Sequence, residues 1–213
     1  MRRRELGTET LYHIFNRSIA EYTIFTREEE YIRMENLIRY YKNKRNLKFS
    51  RFLQLDDEQK STLSVGEKLV EIIAYCIMPT HVHFVLKQMN EGNISVFMNS
   101  ILNSYTHYFN IRHKRRGPLW ESRFKHVLIQ NDEYLIHLTR YIHLNPVTAG
   151  LVEKPELWEF SSYKEYIDQQ NYGHNICDFK KFLDINPISY KEFIEAGIDI
   201  QREIAKIKHL LME

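Results

Sequence analysis

Apolar positions change their period several times along this chain, and the changes divide it into elements. LYHIFNR at 11–17 has the look of a first strand, and Thr26 with Glu29 three residues later opens an amphipathic helix that runs to about Tyr41. Residues 47–55 fit a helical extension or a short strand, and DDEQKSTLSVGEK at 56–68 is a polar connector. From Leu69 the run LVEIIAYCIM is apolar and rich in β-branched residues; Pro79 and Thr80 interrupt it and HVHFVLKQ resumes it. That is the pattern of a hairpin of two core strands. Between Asn93 and about His113, residues Ile94, Phe97, Met98, Ile101, Leu102, Tyr105, Tyr108 and Phe109 recur at helical spacing, behind an Asn-Ile-Ser opening that offers a cap. Gly117-Pro118 ends a basic turn, FKHVLIQ at 124–130 predicts a further strand, and Asn131 or Asp132 caps a shorter helix running into Asn145-Pro146. Pro146 disfavours helical geometry at the preceding residue, which puts Asn145 in the last half-turn.

The order is β-α-β-β-α-β followed by α. It predicts an α+β fold of the ferredoxin-like, split β-α-β kind: a four-stranded antiparallel sheet with two helices on one face, and the other face open to the added helix. Residues 1–150 make one domain on this reading, and 151–213 a mostly helical C-terminal extension with stretches such as 190–196 and 201–212.

Charge changes the picture locally. The net charge of +2 argues for no particular partner, yet residues 111–126 hold six Lys or Arg against one acid, Glu121, and Arg2, Arg3 and Arg4 form a second cluster. Arg115, Arg116, Arg123 and Lys125 are the candidate phosphate contacts, weighed against a solvated loop. The two cysteines, Cys76 and Cys177, lie far apart and outside any C-x-x-C spacing, which speaks against a disulfide framework or a cysteine zinc site. MRRRELGTET has no apolar run behind its arginines, and no stretch approaches the roughly 20 apolar residues of a membrane span, so a cytoplasmic protein away from the membrane is expected.

Candidate chemistry sits in MPTHVHFVLKQ at 78–88. His81 and His83 flank Val82 in a strand, so both imidazoles project to one face while Val82 points into the core. Two histidines on one face can share a metal. Some sixty residues on, RYIHLNPVTAGLV puts Tyr141 and Asn145 four apart, one above the other on a helix. If that helix covers the open face, the phenol and the carboxamide meet the histidines: three neutral ligands, His81, His83 and Asn145, and one nucleophile, Tyr141. Imidazole suits a transition metal such as Mn2+, while Mg2+ is the abundant alternative. Such an ion positions and polarises a phosphate. The ordinary imidazole pKa then predicts activity falling below about pH 6.5, since a protonated histidine cannot bind a cation.

Five motifs taken together, YHIFNR at 12–17, MPTHVHFVL at 78–86, SYTHYFNIRHKRRGPLWESRFK at 104–125, RYIHLNPVTAGLV at 140–152 and WEFSSYKEY at 158–166, resemble the single-tyrosine HUH transposases. The resemblance is greatest to the REP-associated tyrosine transposases, relatives of the insertion-sequence-200-like enzymes. It implies a metal-dependent endonuclease and strand transferase acting on single-stranded DNA, often a hairpin, with a homodimer among the arrangements open to it. Tyrosine attack would leave a 5′-phosphotyrosine link and a free 3′-OH that can later rejoin the strands. Carried onto this chain, Tyr141 is the nucleophile and His81, His83 and Asn145 the ligands; related enzymes use glutamine where Asn145 stands.

Each residue has an ordinary role to set beside the chemical one. Tyr105, Tyr108 and Tyr134 rival Tyr141, Tyr134 most closely because it lies seven residues earlier on a similar face. His137 and His143 are further ligand candidates, although His143, two from Tyr141, points elsewhere on a helix. Trp120 fits a core anchor better than a base-stacking platform. Two rival functions stand beside the transposase: a DNA- or RNA-binding regulator on the same fold without turnover, and a metal-dependent hydrolase that uses water.

Overall fold

In the computed structural model, which describes residues 6–62, 66–168 and 175–210, the strands form one antiparallel sheet in the order β2-β3-β1-β4. They are β1 Leu11–Arg17, β2 Val70–Met78, β3 His81–Gln88 and β4 Lys125–Leu128. The helices are α1 Glu28–Tyr41, α2 Phe49–Phe52, α3 Asp57–Thr62, α4 Asn93–Arg112, α5 Asp132–Thr148, α6 Tyr163–Ile167, α7 Pro187–Glu195 and α8 Ile198–Leu210. This is the expected split β-α-β arrangement, with α2 and α3 inserted where an ambiguous stretch and a polar connector were read. The cluster Arg2, Arg3 and Arg4 lies outside the described residues, as does Met212, the end expected for the last helix.

Alternation in the strands divides the side chains between two cores. On one face Tyr12, Ile14, Ile72, Tyr75, Ile77, Val82, Phe84 and Leu86 pack under α1 and α4. On the other, Ile73, Ala74, Cys76, Met78 and Val85 meet Leu138 and Ile142 of α5, Tyr163 and Tyr166 of α6, and Tyr190 and Ile194 of α7. A bulge between Ile72 and Ala74 shifts the register, which is why Ile73 and Ala74 in succession face the same core.

β2 is an edge strand, yet all nine of its residues are buried. Residues 160–162 and Asp178 cover it. Ile77 N donates to Phe160 O at 2.9 Å, Ser162 N to Tyr75 O at 3.0 Å and Asp178 N to Ile72 O at 2.6 Å, and Cys76 bridges Ser161. The edge that would otherwise invite another chain is thereby closed. β4, at the other edge, is exposed along its length and shorter than the stretch read from the sequence.

Three helix ends differ from expectation. At α1 the carboxylate that caps is Glu30, not Glu29: it accepts from Thr26 N at 2.7 Å and Arg27 N at 3.3 Å. α4 is capped by Gly92, whose φ of 75° suits glycine, and Gln88 Oε1 accepts from Ile94 N at 3.2 Å, so Asn93 is spared that role. α5 opens as expected, with Asn131 Oδ1 accepting from Tyr134 N at 2.7 Å, but continues through Pro146 to Thr148. Proline removes only its own N–H from the helix, and burial of Leu144 to Val147 holds the last turn in place.

Candidate active site

The site lies where β1, β3 and α5 meet. His81 and His83 share the α5 side of β3 while Val82 is fully buried on the other side. Phe15 stands opposite His83 and Arg17 opposite His81 in the antiparallel register, so His13, Phe15 and Arg17 line the same face. The His81 and His83 rings are 5.0 Å apart, centroid to centroid. His13 stacks on His83 at 5.2 Å, and its Nε2 lies 3.0 Å from His83 Nδ1.

Tyr141 comes down from α5 onto this cluster. Its ring meets His83 edge-on at 5.9 Å and His13 at 6.3 Å, and it remains 37% exposed, open enough to reach a substrate. Asn145, one turn further along the same helix face, is buried, and its Nδ2 has no hydrogen-bond partner. Tyr141 and Asn145 also line a cavity of about 360 Å3 between α5 and α8, with Ile200, Gln201 and Ile204 opposite. There Gly197 lets the chain press against Arg140: a Cβ on it would stand 2.7 Å from Arg140 Cδ.

Burial sets the protonation states. It pushes His13 and His81 down to about 4, Arg17 adding to the effect on His81, and it holds His83 well below the usual imidazole value. All three are therefore neutral at pH 7. Burial raises the Tyr141 phenol, and the Arg17 guanidinium works in the opposite direction.

A cation site fits this donor set. Thr80 Oγ1 lies 2.9 Å from His81 Nδ1 as His13 lies against His83 Nδ1, so each Nδ1 is engaged and each Nε2 is left without a hydrogen bond among the described residues. A hydrogen bond to one ring nitrogen fixes the tautomer and aims the other nitrogen of a metal-binding histidine. With His83 offering Nε2, its Nδ1 carries the proton and donates to His13. Among the described residues no three His, Cys, Asp or Glu side chains are grouped to hold a metal, so the third donor would be a neutral oxygen such as that of Asn145.

The other candidates fall elsewhere. Tyr105 is buried and donates to Ile24 O at 2.6 Å, and Tyr134 is exposed in the first turn of α5. His137 bonds Arg140, and His143 is fully buried against Tyr190 and Ser162 on the opposite side of α5. Trp120 donates to Leu102 O at 3.2 Å and packs against Tyr105 as a core anchor. Arg115 is occupied within its own turn, donating to Asn110 Oδ1 at 3.0 Å and Pro118 O at 2.7 Å. Arg116 is exposed on a crevice of about 550 Å3 that it shares with His107, Lys114 and Arg115 at the end of α4. Arg123 and Lys125 lie nearer the histidines: Asn16 Nδ2 donates to Arg123 O at 2.8 Å, and Lys125 stands opposite Phe15 on the site face. His13 and Arg17 escaped the sequence reading; the one signal there was their place in YHIFNR, two positions either side of Phe15.

Residues 60–145, from α3 to the Asn145 turn of α5, match the family model described as Transposase IS200 like. That segment is similar to IS200-like transposases. A putative REP-associated tyrosine transposase of Haemophilus influenzae is 28% identical over 112 residues, which are 48% of this chain and 64% of that protein, just under two thirds of its length. Among solved structures, a REP-associated tyrosine transposase bound to a REP hairpin superposes with a TM-score of 0.58 at 20% identity, covering 87% of this chain and 98% of the other. At that identity the likeness speaks for the fold. The IS200-like segment contains both histidines, Tyr141 and Asn145, and begins after β1. Among the described residues no helix is long and apolar enough to cross a membrane.

Proposed function

We propose that this protein cleaves and rejoins single-stranded DNA, presented as a hairpin, through Tyr141. The observation that carries the reading is the Tyr141 ring set edge-on against His83 and His13, with the Nε2 of His81 and His83 free beside it. The Haemophilus relative and the hairpin bound to the solved neighbour support the same substrate class.

His81, His83 and Asn145 would hold a divalent ion, Mg2+ or Mn2+, which when bound supplies charge to polarise and orient a phosphodiester. The residues of the chain do the rest. An ordinary phenol is about 0.1% ionised at neutral pH and burial makes Tyr141 less so, so the proton leaves as Oη attacks. The Oη–P bond forms, the P–O3′ bond breaks, and O3′ departs with a proton as a free hydroxyl. The 5′ end stays on Tyr141 until a 3′-OH attacks in reverse and restores the phenol. Arg116, Arg123 and Lys125 would follow the backbone, while Arg115 shapes the turn that presents its neighbours.

The test is a denaturing gel of the protein incubated with pooled, labelled single-stranded hairpins and Mn2+, wild type against Tyr141→Phe. A covalent protein–DNA band that disappears in the variant is the expected result. A band that persists moves the nucleophile to another tyrosine, Tyr134 first. Cleavage without any covalent band points to water, and binding without cleavage to a regulator.

A further inference from the structure

We propose that Arg17 is the anchor for the scissile phosphodiester and that Glu21 occupies it until DNA arrives. The inference rests on the reading of Tyr141 and its histidines as the cleavage centre, and it adds a binding residue that the metal set leaves out.

Position comes first. Arg17 ends β1 directly opposite His81, and strict alternation puts its side chain beside the imidazoles. Its charge bears on His81, His83 and Tyr141, in each case behind the effect of burial. Its main-chain carbonyl accepts from Glu121 N at 2.9 Å, tying it to the loop that continues into Arg123 and Lys125. A strand anchored at Arg17 therefore meets further cations in the direction of β4.

Glu21 is the second observation. Arg17 Nη1 donates to its Oε1 at 2.5 Å, although both side chains are more than half exposed. The turn that delivers this carboxylate is held in an unusual backbone: Ala20 and Glu21, neither of them glycine, have φ of 51° and 54°. Left-handed residues of this kind persist only where their surroundings enforce them. Here Ser18 N donates to Thr80 O, Ile19 N to Leu119 O and Ser18 Oγ to Tyr22 O. The turn is fastened to both sides of the site, and what it presents is an anion with two oxygens, the shape a guanidinium fork also finds in a phosphodiester. Exposed pairs contribute little to stability, so exchanging the carboxylate for DNA is nearly free of cost.

The experiment is a double-mutant cycle on the full chain, with Arg17→Gln, Glu21→Gln and both together, using the pooled labelled hairpins as probe. Affinity is measured across salt concentrations in a Tyr141→Phe background, and covalent band formation in the wild-type background. Arg17→Gln is expected to weaken binding, flatten the log–log salt slope by about one and slow band formation on the order of a hundredfold. Arg17→Lys recovers part of that loss. Glu21→Gln alone tightens binding several-fold, an effect misfolding cannot produce, and loses that benefit when Arg17 is already Gln. Additive effects, or a glutamine at 17 that leaves affinity and rate unchanged, overturn the inference while leaving the Tyr141 reading intact. If wild type makes no covalent band, the Tyr141 reading fails by itself and the affinity cycle still decides the pairing of Arg17 with Glu21.

Discussion

Burial moves the working range of the histidines. An ordinary imidazole would begin to lose a cation below about pH 6.5. His81 is held near 4, and burial with the neighbouring imidazoles holds His83 well below the usual value, so protonation would compete with a cation only in stronger acid. Mn2+ binding, followed by its paramagnetic signal, is expected to persist through pH 5.5 and fall off toward pH 4. Loss already at pH 6.5 would mean that the site opens to water. The same shifts act on stability. Between 6.5 and 4 the unfolded chain binds the protons that folded His13 and His81 refuse, so stability is greatest above 6.5 and declines as pH falls through this window. Each such histidine removes at most about 1.4 kcal/mol per pH unit, and thermal melts at pH 7 and pH 5 measure the decline. The His81–His83 pair was legible in the sequence because both members lie on one strand, two residues apart. His13 and Arg17 were not, since they join the site through the pairing of β1 with β3, some seventy residues away.

At the scale of the element, α5 must present one face to the sheet and no other. His143 holds that rotation. Its two ring nitrogens lie 2.8 Å from Tyr190 Oη and 2.8 Å from Ser162 Oγ, and Tyr190 in turn donates to Thr139 at 3.0 Å. Two residues along a helix turn the side chain by about 200°, so fastening His143 from behind points Tyr141 toward the histidines. The neutral form serves this network, and burial pushes His143 down to about 3. His143→Ala is expected to cost on the order of 3 kcal/mol, since it opens a cavity and takes one hydrogen-bond partner from each of the Tyr190 and Ser162 hydroxyls. Tyr190→Phe should cost about 1 kcal/mol. Urea unfolding measures both, and covalent band formation should fall further for His143→Ala than the loss of folded protein accounts for. The four-residue spacing of Tyr141 and Asn145 made the working face of α5 readable. Its clamp was unreadable, because Ser162 and Tyr190 belong to segments whose packing has no period to follow.

On the scale of the whole molecule, the boundary near residue 150 is a seam in the sequence that the packing crosses. Residues 160–162 and Asp178 close the edge of β2, and Tyr163, Tyr166, Phe179, Tyr190 and Ile194 complete the second core. Ending the chain at 150 would bare that core, costing roughly 1.5–3 kcal/mol for each large side chain left uncovered, against a total stability of about 5–15 kcal/mol for an ordinary domain. The shortened protein is expected to show no cooperative thermal transition by circular dichroism; a sharp melt with retained DNA cleavage would restore the extension to an accessory. The β-α-β-β-α-β order was readable from apolar periodicity, whereas the closed edge was not, since WEFSSYKEY bears no mark of the strand it covers.

The two cores on either side of the sheet hold different parts of the site. His81 and His83 belong to β3, bonded on both sides by β2 and β1, and such inner strands are the last to yield their amides to solvent. Tyr141 rides on a helix that packs on the second core, and Gln201 Nε2 donates to the Tyr141 main-chain carbonyl at 3.1 Å. A fluctuation that loosens only this layer would lift the phenol away and leave the imidazoles where they are. The protein would then pass between armed and disarmed states without unfolding, at a tempo set by the packing of the second core.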